Sequence, residues 1–156
     1  MFIQWVKKLF RQKQYDLYLA GPMKSYPNGN KELFLKAAKW LRAQGYTVWN
    51  PAEQNDGNKN FHDCIKKDLI AIIHQCNGIV LLSGWKNSLG ANAEAFVAYV
   101  CGKPAQYIYQ SLYGNFYLAD IDLEKMIVLP FNPEKREYRK RTEMIIAENK
   151  IFDSIQ

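Results

Sequence analysis

Gly78-Ile79-Val80-Leu81-Leu82-Ser83-Gly84-Trp85-Lys86-Asn87-Ser88-Leu89-Gly90-Ala91-Asn92-Ala93-Glu94 is the stretch whose reading decides the fold. Ile79, Val80, Leu81 and Leu82 form a continuous apolar run, as expected of a parallel strand covered on both faces. A turn of small residues follows, and then a helix start that delivers one carboxylate, Glu94. In sheets of this kind ligands bind beyond the carboxyl ends of the strands. Ser88, Gly90 and Glu94 therefore fall where chemistry is expected.

The same alternation extends in both directions. Tyr15–Ala20 reads as a first strand, closed by Gly21-Pro22. Asn30 is placed to cap a helix with Leu33, Phe34, Ala37, Ala38 and Leu41 on one face, stopped by Gly45. Residues 46–49 read as a second strand ending at Asn50-Pro51, and a polar loop, 53–60, leads into a helix striped by Phe61, Ile65, Leu69, Ile72 and Ile73. The third strand, 78–83, is followed by a helix over 91–101 and a fourth strand over 105–109. Residues 110–125, rich in aromatics, read as an irregular lid over a site. Residues 127–130 resemble a short fifth strand, and Pro133 opens a charged C-terminal helix. The expected fold is α/β, a three-layer flavodoxin- or Rossmann-like sandwich on a five-stranded, mainly parallel sheet.

The chain has 156 residues and 48% hydrophobic content, enough for one core and too little for two. The expected divisions are a basic amphipathic segment at 1–14, an α/β body at 15–132 and the helix at 133–156. The net charge of +6 is unevenly spread: residues 1–14 carry four basic groups and no acid, whereas residues 15–132 carry eleven basic and ten acidic groups. A nearly neutral body argues against a nucleic-acid partner. The leading segment, with Phe2, Trp5, Val6, Leu9 and Phe10 at helical spacing, is compatible with contact to an anionic membrane; packing on its own domain or a partner subunit is the preferred reading. No run approaches the roughly 18 apolar residues of a membrane span, and no signal-peptide cleavage site is recognisable, so a cytoplasmic location is expected. Cys64, Cys76 and Cys101 lack metal-ligand spacing and read as buried thiols. His62 and His74 have no companion at metal spacing and read as structural or solvated. Neither a metal nor a cofactor is expected.

Chemistry concentrates in a few residues. Glu94 follows Gly90, Ala91 and Ala93, so little bulk shields it, and the nearby helix start favours its ionised, nucleophilic form. Asp68 lies one position before an apolar-stripe residue and can point into a cleft; a solvated ion pair with Lys66 or Lys67 is the competing reading. Tyr18 alternates with Leu17 and Leu19, so its phenol occupies the other sheet face and needs a polar partner. Ser88 and the amides of Leu89, Gly90 and Ala91 approach a helix N-terminus suited to phosphate. The Gly21-Pro22-Met23-Lys24 turn permits close ligand approach but lacks dinucleotide or P-loop spacing.

Together these motifs bring a family into view. Tyr18-Leu19-Ala20-Gly21-Pro22-Met23, Asn50-Pro51-Ala52-Glu53, Asp68-Leu69 and the 82–94 turn resemble the nucleoside 2-deoxyribosyltransferase superfamily. The nearest branches are a small, largely phage and bacterial group sharing a Gly-Trp-x-x-Ser-x-Gly-Ala turn, and the deoxynucleoside 5'-monophosphate N-hydrolases. The resemblance covers residues 15–109 and implies chemistry at an N-glycosidic bond. Glu94 would attack the anomeric carbon to form a glycosyl ester, Asp68 would bind the base and assist its departure, and Tyr18 would hold the nucleophile. Transferases acting on free nucleosides carry Asp six residues before the nucleophile, whereas the monophosphate hydrolases carry Ser, as here at Ser88. An acid would repel a phosphate dianion and a hydroxyl can donate to it, so a nucleoside 5'-monophosphate is the implied substrate.

The implied binding set adds Gly90, Ala91, Gly21, Pro22, Met23, Lys24, Asn50 and Trp85, with Lys86 as a further phosphate contact. Hydrolysis is favoured over base exchange, because no second-base pocket is recognisable. A homodimer or higher homo-oligomer is implied, and a host-cytoplasmic location for a phage protein. Two features depart from the family pattern: residues 110–156 offer no match to its C-terminal site residues, and Trp85 enlarges the turn before Ser88. A non-catalytic module that binds or sequesters a nucleotide in the same pocket is the alternative reading.

Overall fold

In a computed structural model of the chain, residues 14–24, 26–55 and 60–126 are described. The chain divides into two compact units, Met1–Leu123 and Glu124–Gln156, and the architecture below belongs to the first, except for residues 124–126 of the last short helix.

Strand β1 (Tyr15–Ala20) lies inside the sheet, between β2 and β3. A 3-10 turn (Pro27–Asn30) leads into helix α1 (Lys31–Ala43), then the two-residue strand β2 (Val48–Trp49) and the one-turn helix α2 (Pro51–Gln54). Helix α3 (Phe61–His74), β3 (Cys76–Leu81), a 3-10 turn (Trp85–Asn87) and helix α4 (Leu89–Val100) follow. The hairpin strands β4 (Ala105–Gln110) and β5 (Phe116–Ile121) and the short helix α5 (Leu123–Met126) complete the described chain. The sheet order is β2-β1-β3-β4-β5. All neighbours run parallel except β4 and β5. This is the flavodoxin-like order, in which the chain reverses its direction of winding between β1 and β3.

Period-two alternation sorts the side chains. Leu17, Leu19, Val80, Leu82 and Ile108 meet Phe34, Ala37, Ala38 and Leu41 of α1 in one core, as the helix spacing predicts. The opposite face of β1 carries Tyr18, which is fully buried. Removing apolar side chains from water at about 25 cal/mol per Å2 is the main driving term for this layering.

Several sequence expectations are corrected. The fifth strand comes from residues 116–121, inside the stretch read as a lid. Residues 105–121 form an antiparallel hairpin whose Tyr109 and Tyr117 stack at 5.4 Å, and Phe116 packs at 6.0 Å from Trp40 of α1. Pairing of period-two side chains across two strands outweighed the Gly and Asp content that suggested a loop. Asn30 occupies the cap position of α1 but makes no cap hydrogen bond; left-handed (φ +57°), it donates from Nδ2 to the Pro22 carbonyl at 2.9 Å. Phe61 and Ile73 of the α3 stripe are 44% and 42% exposed, whereas Ile72 is buried as expected, with Asp68 and Ala71 beside it on the buried face. Of the three cysteines only Cys76 is buried, with burial pushing its thiol up to about 12; Cys64 is half-buried and Cys101 exposed. The amphipathic segment at 1–13, the strand expected at 127–130 and the C-terminal helix at 133–156 lie outside the described residues. No helix among the described residues is long and apolar enough to cross a membrane.

Candidate active site

A cavity of about 870 Å3 opens at the carboxyl ends of β1 and β3, within the usual size range of small-molecule pockets. Its walls come from the turn after β1 (Gly21, Met23, Lys24), the start of α1 with its preceding turn (Asn28, Gly29, Lys31), and α2 with the residue after it (Pro51, Ala52, Asn55). Helix α3 contributes Phe61, His62, Cys64, Ile65 and Asp68, and the start of α4 contributes Ser88, Leu89, Gly90, Ala91 and Glu94.

Three groups meet at its floor. The Tyr18 hydroxyl donates to Glu94 Oε1 at 2.8 Å across 76 residues of sequence, and Asp68 acts on both of them. Glu94 and Asp68 are only 6% and 5% exposed. Asp68 makes no salt bridge with its neighbouring lysines among the described residues, which excludes the solvated ion pair. Lys67 instead donates to the Gln54 carbonyl.

Electrostatics correct the reading of Glu94 as an ionised, accessible carboxylate. Helix α4 begins at Leu89, so Glu94 stands in the second turn, where the helix dipole has faded. Burial and the nearby Asp68 charge push its pKa up to about 8, opposed by the hydrogen bond from Tyr18. Burial also raises Asp68, opposed by hydrogen bonding from Asn55, by Trp49, by Lys67 and by Tyr18. Two buried carboxyls that act on each other cannot both ionise cheaply, so each opposes the ionisation of the other. Tyr18 is driven well above its ordinary value by burial and by both acids, and stays a donor.

Asn55, which the sequence reading passed over, secures Asp68. Its Nδ2 donates to Asp68 Oδ1 at 3.0 Å and to Oδ2 at 2.8 Å. The buried indole N–H of Trp49 makes no hydrogen bond of normal geometry, yet it also holds the Asp68 pKa down. Trp49 pairs with Tyr18 in the sheet register, which brings its side chain to the same face.

At the other wall Ser88 caps α4, its Oγ accepting from the Ala91 amide at 3.3 Å. That bond uses the oxygen's lone pair and leaves the hydroxyl proton to donate. The first-turn amides of Leu89 and Gly90 have no intrahelical acceptor. Asn92 fixes the turn from behind: its Nδ2 lies 3.2 Å from the Trp85 carbonyl, 2.8 Å from that of Lys86 and 2.7 Å from that of Ser88.

The cavity thus unites Glu94, Asp68, Ser88, Gly90, Ala91, Gly21, Met23 and Lys24, with Tyr18 beneath Glu94. Three expected binding residues are not on its surface. Asn50 is fully buried and caps α2, its Oδ1 accepting from the Ala52 amide at 3.0 Å. Trp85 is 3% exposed and anchors the turn from inside, and Pro22 is buried beside Gly84. Lys86 does not line the cavity either. Conversely His62, read as structural or solvated, and Phe61, read as core, both line it; the i, i+1 step from Asn60 carries them round the exposed start of α3. Gly21 has a packing duty as well, since a Cβ there would lie 2.8 Å from Leu82 Cβ.

No group of three or more His, Cys, Asp or Glu side chains able to hold a metal ion occurs among the described residues. The family model described as "Domain of unknown function (DUF4406)" matches residues 15–107, a span that contains Tyr18, Asn55, Asp68, Ser88 and Glu94. No curated protein matches the sequence.

Proposed function

We propose that this chain, which belongs to the DUF4406 family, cleaves the N-glycosidic bond of a nucleoside 5'-monophosphate through a glycosyl ester on Glu94. The observation that carries the reading is the Tyr18 hydroxyl bonded at 2.8 Å to Glu94 Oε1, beside a second buried acid and opposite the Ser88 cap of α4. A nucleophilic carboxylate, a proton-bearing acid and an anion-compatible wall are the three parts that such a cleavage requires.

In the reactive state Asp68 is protonated and Glu94 carries the charge. A carboxylate oxygen of Glu94 attacks the anomeric carbon as the carbon–nitrogen bond breaks. The bonding pair leaves with the base, which takes the proton from Asp68. Water then attacks the glycosyl ester, giving its proton to Asp68 and releasing the sugar 5-phosphate and the Glu94 carboxylate. Tyr18 donates to the carboxylate throughout, opposing the burial that favours its protonated form. Positive charge building on the sugar ring further favours the Glu94 anion as the bond weakens. A free base in place of water would give exchange, with the same first half-reaction.

The phosphate is assigned to Ser88 and the first amides of α4, with Lys24 nearby. The reading includes a homo-oligomer and a cytoplasmic location, as in the family that the motifs resemble. Incubation with deoxynucleoside monophosphates and the corresponding nucleosides, followed by chromatography of the bases, tests it: bases should leave the monophosphates faster. Asp68→Asn should reduce that release by about 10^2- to 10^4-fold. Tight calorimetric binding without base release would instead assign a nucleotide-sequestering module. Light scattering at working concentration tests the oligomer.

A further inference from the structure

Asn55 does more than hold a carboxylate. A side-chain amide has one donating and one accepting arm, and here Nδ2 is committed to both oxygens of Asp68 at 3.0 and 2.8 Å. With Asp68 ionised, or with its proton directed to the base, flipping the amide would set its oxygen against carboxyl lone pairs and forfeit both bonds. The orientation is therefore locked, and Oδ1 is left as an acceptor with no partner among the described residues. Asn55 and Asp68 both line the cavity. Asn55 is half-buried, and its backbone N–H donates to the Pro51 carbonyl at 2.9 Å, which fixes its place.

We infer that this end of the cavity selects a nucleobase carrying an exocyclic amino group next to a protonatable ring nitrogen, as in adenine and cytosine, over the oxo bases. The inference rests on the nucleotide reading above and names its substrate class. The protonated acid that helps the base leave must donate to a ring nitrogen. The acceptor next to it, Asn55 Oδ1, then requires a donor on the neighbouring exocyclic position. Adenine meets both demands with N7 and its N6 amino group, and cytosine with N3 and its N4 amino group. Guanine and hypoxanthine present O6 beside N7, so oxygen would face oxygen. Uracil presents an N3–H and O4, which inverts both contacts. An unmatched polar pair removed from water by the bound base costs more than a matched pair gains, so discrimination comes chiefly from rejection of the oxo base.

Matched pairs that differ only at this position test the inference. Binding of dAMP, dIMP, dCMP and dUMP to Glu94→Gln by calorimetry, and base release by the unaltered protein, should each favour the amino member by about tenfold or more. Asn55→Leu keeps the volume and removes the acceptor together with the two bonds to Asp68; base release should fall for every substrate, and the ratio within each pair should fall toward one. If dIMP is bound and cleaved as well as dAMP, the inference is overturned while the glycosidase reading stands. If no nucleotide is bound or cleaved, that reading fails and takes the inference with it. Should Asn55→Leu not fold, the ratios in the unaltered protein decide the matter alone.

Discussion

Glu94 and Tyr18 show how a single hydrogen bond can act on a buried carboxyl. Burial and Asp68 push the Glu94 pKa up to about 8, while the Tyr18 hydroxyl opposes them. Two outcomes follow from the direction of that change. Between its unfolded value of 4.5 and about 8 the folded chain binds more protons than the unfolded one, so stability falls as pH rises through this window. A tenfold difference in proton affinity between the two states is equivalent to about 1.4 kcal/mol. Glu94→Gln removes the ionisation, so its melting temperature should equal that of the parent near pH 4.5 and exceed it by several degrees at pH 9. Thermal melts across that range check this, and parallel curves for the two proteins would contradict it. The proposed cleavage needs one proton in the acid pair, so base release should decline above about pH 8. Tyr18→Phe removes the donor to the Glu94 anion. Its alkaline limb should move to higher pH, and the rate should drop roughly a hundredfold, as read from pH–rate profiles of both proteins.

At the scale of elements, the turn between β3 and α4 is rigid because Asn92 reaches back to three of its carbonyls. Asn92→Ala should leave the fold intact and loosen Ser88, raising KM for a monophosphate by about tenfold with little change for the matching nucleoside. Steady-state kinetics on the two substrates separate these effects. Gly21→Ala forces a methyl group against Leu82 and should destabilise by about 1–3 kcal/mol, measurable by urea denaturation. The strand-turn-helix order around Glu94 was legible because an unbroken apolar run and small turn residues have few other solutions. Tyr18 was legible as a residue needing a partner, since alternation with Leu17 and Leu19 fixes its face. The β4–β5 hairpin was not, because its Gly114 turn and Asp120 read as loop until the cross-strand partners are known. Asn55 was hidden for a related reason. A lone Asn after a one-turn helix carries no local pattern, and its value comes entirely from Asp68, 13 residues away. Asn50 and Trp85 were legible as special positions, but their place inside the fold rather than on the cavity wall was not, because a motif does not distinguish contact with a ligand from support of the loop that makes the contact.

The whole molecule gathers these pieces at the point where sheet winding reverses between β1 and β3, which leaves a crevice that no helix crosses. Of the described elements, one parallel core therefore serves two ends: packing against α1 on one face, and presentation of Tyr18 beneath two acids on the other. The family match spans this arrangement from Tyr15 to Tyr107, whereas the basic excess lies ahead of it. Base release should accordingly depend on the body of the chain and persist when residues 1–13 are removed; an assay of the shortened protein checks this. The central claim, that Glu94 performs the attack, is tested most directly by measuring free base released from a deoxynucleoside 5'-monophosphate by the parent and by Glu94→Ala. The parent should release base, and the variant, folded by circular dichroism, should do so more slowly by a factor on the order of 10^3 or greater. Full activity in Glu94→Ala would contradict it.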